Sequence, residues 1–173
     1  MRSHSRRMGA FFPLISPSMM PQTIHLPDEA AMLSYGARIA SGLKAGDVLA
    51  LNGALGAGKT HFVKGLVAGL GSLETVTSPT FTLTHLYREG RFPVYHFDFY
   101  RLEEIGELEG IGWEEYVDSG DGVVVVEWAG KFAEAFPLGT AWWYFSLSDS
   151  GGRVVSGPHA LPLPECDRKE AGQ

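Results

Sequence analysis

The octapeptide GALGAGKT, Gly53 through Thr60, sets small residues, a lysine and a hydroxyl at the G-x-x-x-x-G-K-[ST] spacing. That pattern suits one chemistry. Gly53, Gly56, Ala57 and Gly58 keep side chains out of the way, so consecutive backbone N–H groups can curl round phosphate oxygens. A helix that follows turns its positive end toward the same anion. Lys59 is then placed to bridge the outer phosphates, and the Thr60 hydroxyl to ligate Mg²⁺. The plainer alternative is a glycine-rich turn with a solvated lysine. Context weighs against it, because an apolar run enters the loop and helical spacing leaves it.

A phosphate loop of this kind needs a carboxylate at the end of a neighbouring buried strand to hold the magnesium shell. The segment VVVVE offers Glu127. Alone, Glu127 reads as a surface glutamate just past a core strand. Beside the loop it reads as a metal carboxylate, since a buried carboxylate without a partner is costly. Asp98, in YHFDFYR, shares a strand face with His96 and Tyr100, opposite Phe97 and Phe99. It either orients or deprotonates an attacking water or caps a turn. His85 and His96 lack zinc-like spacing and read as ordinary strand histidines. Trp128, beside Glu127, either lines a nucleotide pocket or packs in the core.

These groups need positioning. Residues 28–43 read as a helix with Asp28 as N-cap, and Val48–Leu51 as a buried strand entering the loop. Phe62, Val63, Leu66, Val67 and Leu70 recur at helical spacing after it, with Gly71 as the stop. Thr80–Tyr87 and Pro93–Tyr100 alternate as strands around a turn at Arg88–Gly90. Residues 102–117 read as a helix interrupted by glycines. The four valines before Glu127 mark a strand covered on both faces. Ala141–Asp149 and Gly152–Ser156 read as late strands forming a hairpin. The class is α/β: a three-layer P-loop NTPase arrangement with a mainly parallel central sheet plus late antiparallel strands. Residues 23–157 form one domain, between a disordered or over-extended segment 1–22 and a loosely ordered tail 158–173.

The totals narrow the function. A chain of 173 residues suits one domain. Fourteen Lys and Arg stand against 20 Asp and Glu, a net charge of −6, so tRNA or duplex is met only indirectly. No apolar run is long enough for a bilayer, and the single Cys166 fits a reducing cytoplasm. Guanine-reading GTPases need an N-K-x-D motif and a catalytic glutamine. This chain has one asparagine, Asn52, and only Gln22 and Gln173, so ATP is the better substrate. Arg88, Arg91 and Arg101 are scattered and form no kinase-like lid. A compact ATPase that switches a partner remains.

The segments LNGALGAGKTHFVKGL, TSPTFTLTHLY, YHFDFYRL, GIGWEEY and VVVVEWA, in this order and spacing, resemble the TsaE (also called YjeE) family over about residues 28–147. The resemblance implies a bacterial ATPase required for threonylcarbamoyladenosine modification of tRNA. It implies action with the TsaD and TsaB subunits, whose complex is reset by ATP hydrolysis. By motif, Gly56 to Thr60 would hold phosphates, and Thr60 with Glu127 would flank Mg²⁺. Asp98 matches the family's essential acid, and Ser78, Pro79 and Thr80 match a switch-like loop. Trp128 matches the tryptophan after the magnesium carboxylate. Two positions depart: Ala54 stands where the family has Asp, and His61 where it has Thr or Ser. His61 keeps its backbone N–H for the α-phosphate but offers no hydroxyl. Two rivals stand beside the ATPase: a non-catalytic, nucleotide-gated binding module and a small-molecule phosphotransferase.

Overall fold

A computed structural model describes residues 22–158. In chain order its elements are β1 (Gln22–Leu26), α1 (Glu29–Ala40), β2 (Val48–Gly53), α2 (Lys59–Gly69), β3 (Thr84–Tyr87) and β4 (Val94–Asp98). They continue with α3 (Glu107–Gly110), α4 (Trp113–Ser119), β5 (Val123–Glu127), a 3₁₀ segment (Ala129–Ala135), β6 (Ala141–Leu147) and β7 (Arg153–Gly157). The expectations for residues 1–21 and 159–173 lie outside the described residues.

The valine run behaves as its composition demands. Every residue of β5 is buried. Val123 and Val125 enter one core while Val124 and Val126 enter the other, as side chains alternating across a pleated strand must. One core packs α1 and α2 on the sheet through Met32, Tyr35, Phe62, Leu66, Trp143 and Phe145. The other gathers Phe97, Phe99, Trp113 and Phe132 beneath α4 and the 3₁₀ segment. No helix among the described residues is long and apolar enough to cross a membrane.

The seven strands form one sheet in the order β1-β7-β6-β2-β5-β4-β3. Its four central strands are parallel, and β1, β7 and β3 pair antiparallel at the flanks. The late strands therefore correct the expectation in part. β6 runs parallel to β2, because the connection from Glu127 to Ala141 is long enough to return the chain to the sheet's far end. Only β7 reverses, through a turn where Gly151 and Gly152 take φ of 87° and 77°. Strand β1 was not expected; its few alternating residues gain a partner only once β7 is in place.

Two further boundaries moved. Thr80–Leu83 is a turn instead of strand, closed by Leu83 N–H donating to the Pro79 carbonyl at 2.6 Å, so β3 begins at Thr84. The glycine-interrupted helix splits into α3 and α4 because Gly112 adopts φ 70°. The predicted caps hold. Asp28 Oδ1 accepts from Ala31 N–H at 2.8 Å, an arrangement worth about 1 kcal/mol. Gly71, at φ 92°, ends α2 with Ser72 N–H on the Val67 carbonyl and its own N–H on Ala68.

Helices α1 and α2 approach closely because glycine faces backbone. A Cβ on Gly65 would stand 2.0 Å from the Leu33 carbonyl oxygen, and one on Gly36 would stand 2.2 Å from that of Phe62. This contact fixes where α2 begins, and hence where the loop before it sits. Gly65→Ala must push the helices apart and is expected to cost about 3 kcal/mol in urea unfolding. Gly42→Ala, whose Cβ would meet nothing nearer than 3.8 Å, serves as the near-neutral control. Equal stability of the two variants would contradict this packing.

Candidate active site

The loop between β2 and α2 is shaped by three glycines at positive φ: Gly53 at 150°, Gly56 at 79° and Gly58 at 101°. At Gly53 even the space is reserved, since a Cβ would lie 2.3 Å from the Phe145 carbonyl oxygen on β6. Gly58 is the N-cap of α2, and no side chain caps the helix there. The first-turn N–H groups are thus left facing the loop. Ala57 is buried beneath it.

Lys59 is only 4% exposed. Its Nζ donates to the carbonyls of Gly53 at 2.7 Å and Ala54 at 3.0 Å, and lies 4.5 Å from the Trp128 ring centre. Burial pushes the Lys59 pKa below its usual value, while the carboxylates of Glu127 and Asp98 push back. The lysine is a buried cation held in place by carbonyls, a π-face and two acids.

Those acids come from adjacent parallel strands, where Asp98 and Glu127 are register partners, as are Leu51 and Glu127. The carboxyl ends of β2, β4 and β5 therefore line up under the loop. Glu127 Oε1 accepts from Thr60 Oγ1 at 2.8 Å and meets His96 Nε2 at 3.1 Å. Asp98 Oδ2 accepts from Thr80 Oγ1 at 2.5 Å, and its Oδ1 accepts from Tyr100 N–H at 2.8 Å. Thr80 in turn meets Ser78 Oγ at 2.8 Å, so Asp98 holds the Ser78–Thr80 turn against the site. Both residues that swing the chain around these acids carry left-handed backbone without being glycine, Leu83 at φ 66° and Trp128 at φ 59°. Such conformations cost about 1–3 kcal/mol each and persist where surrounding structure enforces them. Trp128 fits that description, packed between Lys59 and the Tyr100 ring, whose centre is 4.9 Å away.

Gly53, Gly56, Ala57, Gly58, Lys59, Thr60, Asp98, Thr80, Glu127 and Trp128 thus converge at the carboxyl ends of the inner strands. His61 does not turn its side chain inward: its Nε2 lies 3.4 Å from Glu29 on α1. His85 contacts Thr77 and Tyr87 instead of a metal partner. Three residues escaped the sequence reading. His96 is not an ordinary strand histidine, for it is fully buried against Glu127; sharing a face with Asp98 was the available signal. Asn52 Oδ1 accepts from Gly130 N–H at 2.6 Å, tying the end of β2 to the 3₁₀ segment. Arg153 lies against Gly58, its Cδ 3.6 Å from where a Cβ would stand, a contact made only by folding. A cavity of about 440 Å³ lined by Ile39, Leu43, Leu49 and Trp143 sits at the opposite end of β2 and takes no part.

The family model described as "Threonylcarbamoyl adenosine biosynthesis protein TsaE" matches residues 26–154. A tRNA threonylcarbamoyladenosine biosynthesis protein TsaE from Bacillus subtilis is 51% identical over 94 residues, a match covering 54% of this chain and 58% of that one. The like-named protein of Treponema pallidum is 43% identical over 122 residues, covering 70% of this chain and 89% of its own. The crystal structure of Bacillus subtilis YdiB superposes with a TM-score of 0.67 at 32% identity, covering 80% of this chain and 86% of that one.

Depression of the Lys59 pKa makes a testable statement about stability. Between its folded-state pKa and 10.5 the unfolded chain binds more protons at this site, so stability from this group rises with pH across that window. Below the window the full desolvation cost is present. Subtracting the urea-unfolding stability of Lys59→Met from wild type should give a difference that climbs toward pH 10.5 and is flat near neutrality. A difference independent of pH throughout would contradict the buried, charge-strained lysine.

Proposed function

The chain belongs to the TsaE family of threonylcarbamoyl adenosine biosynthesis proteins, and from that footing we propose that it is a Mg²⁺-dependent ATPase of the P-loop NTPase fold serving tRNA threonylcarbamoyladenosine synthesis. One observation carries the reading: the Thr60 hydroxyl and the Glu127 carboxylate, 67 residues apart, meet at 2.8 Å beside the glycine loop. The pair is an all-oxygen, hard donor set, and magnesium takes one or two protein oxygens with the rest from water and phosphate. The fit is therefore good. Thr60 and Glu127 would hold the ion, which would supply positive charge to neutralise the phosphate oxygens.

The chain's own residues do the remainder. Backbone N–H groups from Gly56 to His61 bind the phosphates. Lys59 exchanges the Gly53 and Ala54 carbonyls for the outer phosphate oxygens, a favourable trade of dipoles for full charge. Trp128 lies against Lys59 and limits where its Nζ can go. Water attacks the γ-phosphorus as the bond to the β,γ-bridging oxygen breaks, giving ADP and phosphate; Asp98 orients that water and takes its proton. In this structure Thr80 and Tyr100 engage both Asp98 oxygens, so release of the Ser78–Thr80 turn precedes that role.

The partners are TsaD and TsaB in the cytoplasm, with tRNA reached only through that complex. The net charge of −6 supports this indirect route. The Thr80–Asp98 contact also favours a second reading, a nucleotide-gated module in which ATP frees the turn for docking and hydrolysis is secondary.

Phosphate release with TsaD and TsaB present should fall at least about 100-fold in Lys59→Ala. Asp98→Ala should keep ATP binding within a few-fold and lose turnover. Equal release by wild type and Lys59→Ala would reject catalysis here. An Asp98→Ala protein that supports tRNA modification normally would favour the gated module.

A further inference from the structure

His96 is a fully buried polar ring in the middle of β4, flanked by Val94, Tyr95 and Phe97 and followed by Asp98 at the strand's end. Burying an imidazole there is unfavourable unless its nitrogens are used. Its Nε2 has one partner, Glu127 Oε1 at 3.1 Å, and its Nδ1 has none. That asymmetry fixes the tautomer. With the proton on Nε2, the ring donates to the carboxylate and leaves only a bare acceptor at Nδ1. With the proton on Nδ1, a buried N–H is orphaned and two lone pairs face each other across 3.1 Å. Tyr87 packs at 6.3 Å between ring centres, and the neighbouring strand positions are His85 and Val125. Glu127, 4% exposed at the end of β5, therefore meets two donors of fixed direction on one oxygen, Thr60 from above and His96 from the strand beside it.

We propose that His96 is a positioning residue for Glu127: its Nε2–H holds the carboxylate in the orientation that brings it to the Thr60 hydroxyl, and so presets the magnesium site. This rests on the reading of Glu127 as the metal carboxylate. His96 touches neither ion nor nucleotide, and its effect is transmitted through Glu127 alone. Removing such an outer hydrogen bond at metal sites commonly weakens metal affinity 10–100-fold. The bond, and not the ring's bulk, carries the effect. His96→Phe keeps the volume and loses the donor, whereas His96→Gln can return an N–H near the Nε2 position.

The test measures Mn²⁺ affinity by electron paramagnetic resonance, with ADP bound and protein in excess, alongside ADP affinity without metal and the melting temperature. His96→Phe should bind Mn²⁺ about 10–100-fold more weakly, with metal-free ADP affinity unchanged, and His96→Gln should recover most of the loss. Wild-type Mn²⁺ affinity in His96→Phe would overturn the proposal, as would equal losses in both variants that track their melting temperatures. Imidazole ¹⁵N spectra of the wild type supply a check that needs no substitution: the proton belongs on Nε2, and finding it on Nδ1 overturns the proposal. A wild type that holds no Mn²⁺ beside ADP would instead sink the magnesium reading, and the inference with it.

Discussion

A carboxylate buried at the tip of β5, one of the inner strands, is the constraint around which this molecule is arranged. Removing Glu127 from water costs several kcal/mol unless donors replace the water. The fold supplies two, the Thr60 hydroxyl from the first turn of α2 and the His96 ring from β4. Each demands something of the chain. Thr60 reaches Glu127 only if α2 starts beside the end of β5, and the glycine contacts seat α2 closely against α1. His96 reaches it only if β4 and β5 are parallel and in the observed register. A carboxylate, a hydroxyl and a lysine brought so close in a dry place form an arrangement poorly optimised for stability and well suited to a charged ligand.

The loop and the turn on either side of Glu127 hold the site's conformational strain. Gly53, Gly56 and Gly58 accept positive φ at little steric cost. Leu83 and Trp128 do not, and both are held there by packing and hydrogen bonds to the same cluster. The Thr80–Asp98 contact links the Leu83 turn to the acid beneath it. Any ligand that competes for Asp98 therefore acts on the Ser78–Thr80 turn. That gives the site a physical route to the surface, where Phe81 is 81% exposed.

Local signals made much of this visible in the chain itself. The glycine loop, the valine strand with Glu127, the Asp28 cap and the Gly71 stop each depend on a few neighbouring residues, and each was found where expected. What escaped depends on distant partners. The direction of β6 is set by its crossover and not by its apolar run. β1 exists because β7 offers an edge. Thr80–Leu83 alternates like a strand, yet curls to deliver Thr80 to Asp98. His96 looked like any strand histidine until register placed it beside Glu127. The requirements of a phosphate loop brought Glu127 and Asp98 to one site with it, and the resemblance to the TsaE family agreed; neither identified what holds the acids in place.

Residues 53–60 and Glu127 are proposed to form a single Mg-nucleotide site. The most direct measurement is a crystal structure of the protein with Mg²⁺ and a non-hydrolysable ATP analogue. The expected result is one ion held by Thr60 Oγ1 and Glu127, phosphates on the amides of Gly56 to Thr60, and Lys59 Nζ moved off the Gly53 and Ala54 carbonyls. Nucleotide bound elsewhere, or an ion that leaves the Thr60–Glu127 hydrogen bond intact, would contradict it.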